Sequence, residues 1–111
     1  MSLYEEICHR PEPNQKPIGA DDARKLLKEI PGWNLKGDSI ERTFQFHDFR
    51  ESMDFVNRVA EIANSEDHHP DIHILYNKVR LVFSTHKING LSRNDFIMAA
   101  KTSQLTSDVT V

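Results

Sequence analysis

The sequence predicts an α+β fold in which a single four-stranded antiparallel sheet carries three helices on one face. Three observations lead to this fold class. The hydrophobic patterns follow one another in the order helix, two strands, helix, two strands, helix. The links within each pair of strands are short, which favours antiparallel hairpins. The chain has 111 residues, of which 38% are hydrophobic, and this suffices for one domain around one core.

The first part of the chain predicts an arm and then a helix. Residues 1–19 contain three prolines and show no hydrophobic periodicity, so we expect a flexible N-terminal arm. Asp21 or Asp22 can cap the helix that follows, and Pro31 with Gly32 ends it. Its apolar face comprises Ala23, Leu26, Leu27 and Ile30.

A hairpin and the longest helix are predicted next. A short strand begins at Trp33, residues 36–39 form its turn, and the segment "IERTFQF" forms a second strand with Phe44 and Phe46 on one face. A helix from about Arg50 to Asn64 follows. Its broad apolar face comprises Phe49, Met53, Val56, Ala60 and Ala63 together with Phe55, Val59 and Ile62.

The last third predicts a second hairpin and a final helix. Ile72 and Ile74 mark one strand, residues 77–78 form a turn, and Val79, Leu81 and Phe83 share a face of the next strand. The final helix begins at Ser92, where Asp95 has the spacing of a capping box. We expect fraying from Thr102, so the domain is predicted to span residues 20–104 and a C-terminal tail residues 105–111.

Composition excludes several functional classes. The net charge is −3 and no dense run of Lys or Arg occurs, which argues against direct nucleic-acid binding. No apolar run approaches the roughly 18 residues of a membrane span, and the N-terminus lacks the apolar stretch of a signal peptide. Cys8 is the single cysteine, so an internal disulfide is excluded and a reducing, cytoplasmic location is expected.

Histidine is the most informative residue type, because four of the six histidines lie between Glu66 and His86. A metal site, an acid–base site and a set of incidental residues are the three interpretations. His69 and His73 have the spacing of two ligands on one helix face. However, Pro70 disfavours helical geometry at the residue before it, and residues four apart on a strand lie about 13 Å apart. A metal site is therefore disfavoured.

The adjacent pair His68 and His69 supports the acid–base interpretation. The pair lies where a helix gives way to a strand, and His86 ends the strand that returns beside it in a hairpin. Three imidazoles should therefore converge at one end of the sheet. Imidazole exchanges protons near neutral pH, so such a group suits paired general acid and general base catalysis. For His73 and His47 an incidental role is the better interpretation, and His9 is assigned none.

The segment "EDHHPDIHILYNKVRLVFSTHKINGLSRNDF" closely resembles the pterin-4a-carbinolamine dehydratase family through the elements "HHPD", "YNKV", "STH" and "GLSRNDF". The upstream elements "PGWNL" and "FQFHDF" also match in order and spacing, so the similarity covers about Ala20 to Gln104. The resemblance implies the fold predicted above. It also implies dehydration of a 4a-hydroxytetrahydropterin to quinonoid dihydropterin, which recycles the pterin used by aromatic amino acid hydroxylases. No cofactor is implied.

The resemblance also implies the site residues. The catalytic set is His68, His69 and His86, with His68 and His86 as the proton-transfer pair and His69 as the positioning residue. The substrate-binding set is Asp67, Pro70, Thr85, Lys87 and Asp95. Two positions depart from the family. Asn64 stands where members often have a glutamate, and Ile72 stands where some have a tryptophan.

Partners follow from the resemblance as well. The family commonly forms homodimers and homotetramers, and its small-molecule partner is the pterin. Animal members also bind a homeodomain transcription factor and stabilise its dimer through a helix surface. A non-catalytic oligomeric binding protein or a dimerisation cofactor of the coactivator type is therefore the alternative function. A dehydration assay discriminates it from the enzyme.

Overall fold

Three helices and one antiparallel sheet form the fold, as the sequence predicted. A computed structural model describes residues 2–107. Its main elements are α1 (Ala20–Leu27), β1 (Asn34–Lys36), β2 (Ser39–Gln45), α2 (Phe49–Glu66), β3 (Asp71–Leu75), β4 (Lys78–Phe83) and α3 (Arg93–Ser107). The strand order is β1-β2-β4-β3, and every neighbouring pair is antiparallel. None of the helices in the described part of the chain is long and apolar enough to cross a membrane.

One face of the sheet forms the core. Alternate residues of β2 and β4 point to this face, and cross-strand partners pair Ile40 with Phe83 and Phe44 with Val79. These four side chains are buried, as is Leu81 between them. The opposite face carries exposed or half-buried polar residues such as Thr43 and Arg80. The sheet therefore packs its helices on one side only.

Helix α2 is longer than predicted at both ends, and each end has a local cause. At the N-terminus the Asp48 side chain accepts a hydrogen bond from the Glu51 N–H at 2.9 Å. At the C-terminus Asp67 adopts the left-handed conformation with φ 54°, and the next N–H, that of His68, donates to the Ala63 carbonyl at 3.2 Å. This cap turns the chain sharply from α2 towards β3.

Helix α3 does not fray at Thr102 but continues to Ser107. The Thr102 hydroxyl is buried and donates to the Met98 carbonyl at 2.9 Å. The Ser103 hydroxyl accepts hydrogen bonds from the Trp33 indole at 2.8 Å and from Arg42 at 3.0 Å. The polar side chains of Thr102 and Ser103 thus form hydrogen bonds within the fold, and the helix continues past them. Residues 105–107 of the expected tail therefore belong to α3, and residues 108–111 lie outside the described part.

The beginning of the expected arm packs on the domain. Residues Leu3–Glu5 form a 3-10 turn, and Leu3 is buried with 2% exposure among the core residues. The Lys101 ammonium on α3 donates to the Tyr4 carbonyl at 2.8 Å. A single buried leucine produces no hydrophobic periodicity, which explains why the sequence pattern indicated only an arm.

Candidate active site

A cavity of about 500 Å³ opens where α2 leads into β3 and where β4 ends. The side chains that line it come from four separate parts of the chain: residues 8–11, 66–69 and 84–87, and Asn94. Six of the predicted site residues lie on its wall, namely Asp67, His68, His69, Thr85, His86 and Lys87. The other lining residues are Cys8, His9, Arg10, Pro11, Glu66, Ser84 and Asn94. The hairpin thus brings the three histidines together at one end of the sheet.

His68 is the most constrained of the three histidines. Its side chain is 12% exposed, and its Nε2 lies 2.6 Å from Oδ1 of Asp95. The imidazole also stacks on the Phe83 ring, with 6.2 Å between centroids and 10° between planes. A carboxylate only accepts hydrogen bonds, so in neutral His68 the hydrogen lies on Nε2 and the lone pair lies on Nδ1.

Asp95 is fully buried, and its carboxylate accepts hydrogen bonds from three residues beside the cavity. Oδ1 accepts from His68, while Oδ2 accepts from the Thr85 hydroxyl and from the Ser92 N–H, both at 2.9 Å. Because the Thr85 hydroxyl donates to Asp95, the Ser92 hydroxyl 2.7 Å away must donate to Thr85. Asp95 lies in the first turn of α3, where the helix dipole favours a negative charge.

His69 has a different environment. Its side chain is exposed, and its Nε2 lies 2.9 Å from Oδ1 of Asn64, which is near the C-terminal end of α2. Asn64 occupies the position at which the family often carries a glutamate. Here this side chain contacts a histidine of the cavity. The contact orients the imidazole ring without burying it.

His86 and Lys87 lie on a short 3-10 turn, residues His86–Ile88, that follows β4. The turn is closed by a bridge in which the Thr85 N–H donates to the Gly90 carbonyl at 2.8 Å. Asn89 ends the turn in the left-handed region, with φ 55°. This geometry leaves the side chains of His86 and Lys87 exposed on the cavity wall.

Two predicted substrate-binding residues do not line the cavity. Asp95 lies behind the wall and reaches the cavity only through His68 and Thr85. Pro70 also lies outside the lining set. His73 is exposed opposite Arg80 on the outer face of the sheet.

The N-terminal residues are the part of the site that the sequence did not indicate. Residues 8–11 lie on the cavity wall, although they were assigned to an arm and His9 to no role. Burial first, and then the neighbouring Glu66 carboxylate, raise the pKa of the Cys8 thiol to about 12, so the thiol remains neutral. The segment carries no hydrophobic period, and only the cluster of Cys, His and Arg at residues 8–10 is a signal for it.

The arrangement suits proton transfer. Two of the three imidazoles, those of His69 and His86, are open to solvent, while His68 is held by a carboxylate. Within residues 2–107, no three side chains of His, Cys, Asp or Glu are grouped so that they could hold a metal ion. Imidazoles that share one cavity can donate a proton to a bound molecule and accept another proton from it.

Comparison with known proteins identifies a family and several relatives to which this chain is similar. The sequence profile of the family described as "Pterin 4 alpha carbinolamine dehydratase" matches residues 16–105. A protein from Stenotrophomonas maltophilia is 49% identical over 111 residues, which cover 98% of this chain and 96% of the relative. A protein from Methylococcus capsulatus is 44% identical over 109 residues, which cover 96% of each chain. Both carry the name pterin-4-alpha-carbinolamine dehydratase as a provisional assignment.

A solved structure is also similar. The crystal structure of a "transcriptional coactivator/pterin dehydratase" from Brucella melitensis superimposes with a TM-score of 0.77 at 30% sequence identity. The match covers 81% of this chain and 98% of the other.

Proposed function

Because the chain belongs to the pterin-4a-carbinolamine dehydratase family, we propose that it is an enzyme that dehydrates a 4a-hydroxytetrahydropterin to the quinonoid dihydropterin. The observation that carries this proposal is the convergence of three histidines on one cavity, one of them hydrogen-bonded to a buried carboxylate. In the reaction the C4a–O bond breaks as the N5 lone pair forms a C4a=N5 double bond. A base takes the N5 proton, and an acid protonates the departing oxygen, which leaves as water.

His68 is proposed as the base. Asp95 holds its Nε2–H, which leaves the lone pair on Nδ1 to take the proton from N5. The resulting imidazolium is stabilised by the same carboxylate, whose other oxygen is held by Thr85 and Ser92. Thr85 is accordingly a positioning residue that acts through Asp95, since its hydroxyl is already engaged.

His86 is proposed as the acid, and His69 as the residue that positions the pterin. His86 is exposed on a wall of the cavity formed by another part of the chain, so it can protonate a leaving hydroxyl while His68 acts on N5. His69 is oriented by Asn64 and offers a hydrogen bond to the bound ring. The cavity of about 500 Å³ is in the range typical of small-molecule sites.

The proposed physiological role is recycling of the pterin cofactor. An enzyme that oxidises its substrate through a tetrahydropterin, such as an aromatic amino acid hydroxylase, releases the 4a-hydroxy compound, and dehydration returns it to the reducible form. The proposed location is the cytoplasm. The unpaired, half-buried Cys8 is in keeping with a reducing compartment.

A stopped-flow dehydration assay tests the function. Chemically prepared 4a-hydroxytetrahydropterin should lose water faster with the protein than in buffer alone. His68→Ala and His86→Ala should each lower kcat by about 10²–10⁴. His47→Ala is the matched control, because this exposed histidine pairs with Glu51 away from the cavity and should leave kcat unchanged. A wild-type protein that gives no acceleration would exclude the dehydratase function.

We also propose that the chain forms homo-oligomers through β3. This strand lies at the edge of the sheet and, within residues 2–107, pairs only with β4. An unpaired edge is a template for another chain. The C-terminal end of this edge and the turn after it are apolar: Leu75 is 61% and Tyr76 is 65% exposed, and Tyr76 stacks on the exposed Phe49 with 6.5 Å between ring centroids. A second copy of the chain is therefore proposed to bind to the apolar surface formed by Phe49, Leu75 and Tyr76.

A binding role is the second candidate function. The similar protein from Brucella melitensis is described as a transcriptional coactivator as well as a pterin dehydratase. The same apolar edge would serve such a partner here, and the histidine cavity would then be dispensable. Variants of the three histidines that lose dehydration but retain partner binding would separate the two roles.

A further inference from the structure

We propose that residues Glu6–Pro11, here called the strap, form a substrate-contacting wall of the active site, and that Asn94 and Glu66 are the positioning residues that hold it. The identity of the substrate rests on the proposed dehydratase function, whereas the position of the strap rests on the contacts alone. Four consecutive strap residues, Cys8 to Pro11, line the same cavity as the three histidines.

Asn94 is the main anchor of the strap. Its Oδ1 accepts a hydrogen bond from the His9 N–H at 3.0 Å, and its Nδ2 donates to the His9 carbonyl at 2.6 Å. One side-chain amide therefore satisfies both polar groups of one residue, as a neighbouring strand would. Asn94 is 8% exposed, so these hydrogen bonds are largely shielded from water. The contact joins residues that are 85 positions apart in the chain.

Glu66 and Arg93 complete the anchoring. Oε1 of Glu66 accepts the Cys8 N–H at 2.7 Å, and the Arg93 guanidinium makes two contacts of 2.7 Å with the Glu6 carboxylate. The Cys8 thiol lies 3.8 Å from the Asn94 carbonyl. The neutral state of this thiol suits the half-buried position of Cys8 within the strap.

The anchors lie next to the catalytic pair in the chain. Glu66 is the last residue of α2, two positions before His68, and Asn94 directly precedes Asp95 on α3. The two helix ends that fix the His68–Asp95 hydrogen bond therefore also fix the strap. The distance between the strap and the proposed base is thus set by rigid elements, which is what a positioning wall requires.

Arg10 is the strap side chain best suited to contact the substrate. It is exposed on the cavity wall and, within residues 2–107, forms no hydrogen bond or ion pair with another side chain. A guanidinium presents five N–H donors and no acceptor. A pterin offers the carbonyl oxygen of its pyrimidine ring and the hydroxyls of its side chain as acceptors. Arg10 should therefore contribute to binding and not to proton transfer.

Steady-state kinetics of three variants test this role. Arg10→Gln removes the charged donor group, Asn94→Ala removes both anchoring hydrogen bonds, and Asn94→Asp retains the acceptor for the His9 N–H but loses the donor. Each should raise KM about tenfold, as expected for the loss of one or two hydrogen bonds, with kcat within about twofold of the wild type. Lys101→Ala is the matched control, because it removes an arm-to-α3 hydrogen bond that lies outside the cavity.

Hydrogen exchange provides a readout that is independent of turnover. The Cys8 and His9 amides are hydrogen-bonded, so a peptide spanning them should be protected in the wild type and should lose protection in Asn94→Ala and Asn94→Asp. Addition of 7,8-dihydrobiopterin, a stable reduced pterin, should increase the protection of this peptide in the wild type, and much less in Arg10→Gln.

Two results would overturn the inference. The first is an unchanged KM in Arg10→Gln and in a folded Asn94 variant of an active enzyme, which would leave the dehydratase function intact but the strap without a part in it. The second is a strap peptide that dihydrobiopterin does not protect although other walls of the cavity become protected. An inactive wild-type protein whose strap is protected by the pterin would exclude the dehydratase function alone and retain the strap as a pterin-binding wall.

Discussion

Asp95→Asn should abolish most of the activity and leave the fold intact. The amide must satisfy two donors at Oδ2, the Thr85 hydroxyl and the Ser92 N–H, so its oxygen belongs there and its NH₂ group faces His68. His68 must then accept at Nε2 and carry its hydrogen on Nδ1, so the nitrogen proposed to take the N5 proton has no lone pair. Loss of a general base costs about 10²–10⁴ in rate, or about 2.7–5.5 kcal/mol in the activation barrier.

The same substitution also lowers stability by a calculable amount. It removes one charge-assisted hydrogen bond to His68, worth about 1.5–3 kcal/mol, and a favourable charge in the first turn of α3, worth about 0.3–1 kcal/mol. The sum, about 2–4 kcal/mol, is smaller than the stability of a typical domain. The variant should therefore remain folded with a lowered Tm.

Stopped-flow dehydration under saturating substrate and thermal unfolding measure the two effects separately. Asp48→Asn is the matched control. Asp48 also accepts a backbone N–H at a helix N-terminus, asparagine caps helices equally well, and the residue lies outside the cavity. Both kcat and Tm should change little in the control. A folded Asp95→Asn variant that keeps kcat within twofold of the wild type would refute tautomer control of His68 by Asp95.

Three further predictions follow from the site and the sheet edge. His69→Ala should raise KM more than it lowers kcat. His73→Ala should change neither constant, because His73 lies on the outer face of the sheet. Equal losses of kcat/KM in the two variants would contradict the proposed site. Activity should survive EDTA, and elemental analysis should find no stoichiometric metal; activity lost to EDTA and restored by zinc would exclude a purely acid–base site. Light scattering should give a multiple of the chain mass at micromolar concentration, and Leu75→Lys should shift it towards the monomer. A monomeric wild type would refute the oligomer.

The elements that sequence patterns predicted are those whose stability derives from periodic burial. Alternation along β4 and the apolar stripes of α2 follow directly from one buried sheet face, so the fold class was predictable. The extension of α3 beyond Thr102 was not. It depends on a buried hydroxyl that bonds back to the helix and on a serine that receives the Trp33 indole, and neither contact has a period in the sequence.

The candidate site likewise includes features that the sequence predicted and features that it did not. The three histidines could be placed together because a hairpin returns the end of β4 to the start of β3, a consequence of topology alone. Asp95 had the spacing of a capping residue, and its acceptance of the Ser92 N–H agrees with that pattern, yet its second oxygen holds His68. Asp95 therefore both caps α3 and holds His68, and only the tertiary structure shows the second of these contacts.

The strap shows why the remainder could not be predicted. Residues 8–11 are held at the cavity by contacts distant in the chain: the side chains of Asn94 and Glu66, more than 50 positions away, accept hydrogen bonds from their backbone. Such contacts depend on backbone groups that every residue possesses, so the strap sequence itself does not record them. However, Asn94 directly precedes Asp95, which the capping pattern had indicated, and Glu66 lies two positions before His68 of the histidine motif. The His68–Asp95 hydrogen bond joins the C-terminal end of α2 to the first turn of α3. Polar residues beside this contact are well placed to hold a second segment over the same cavity, and Asn94 and Glu66 both occupy such positions.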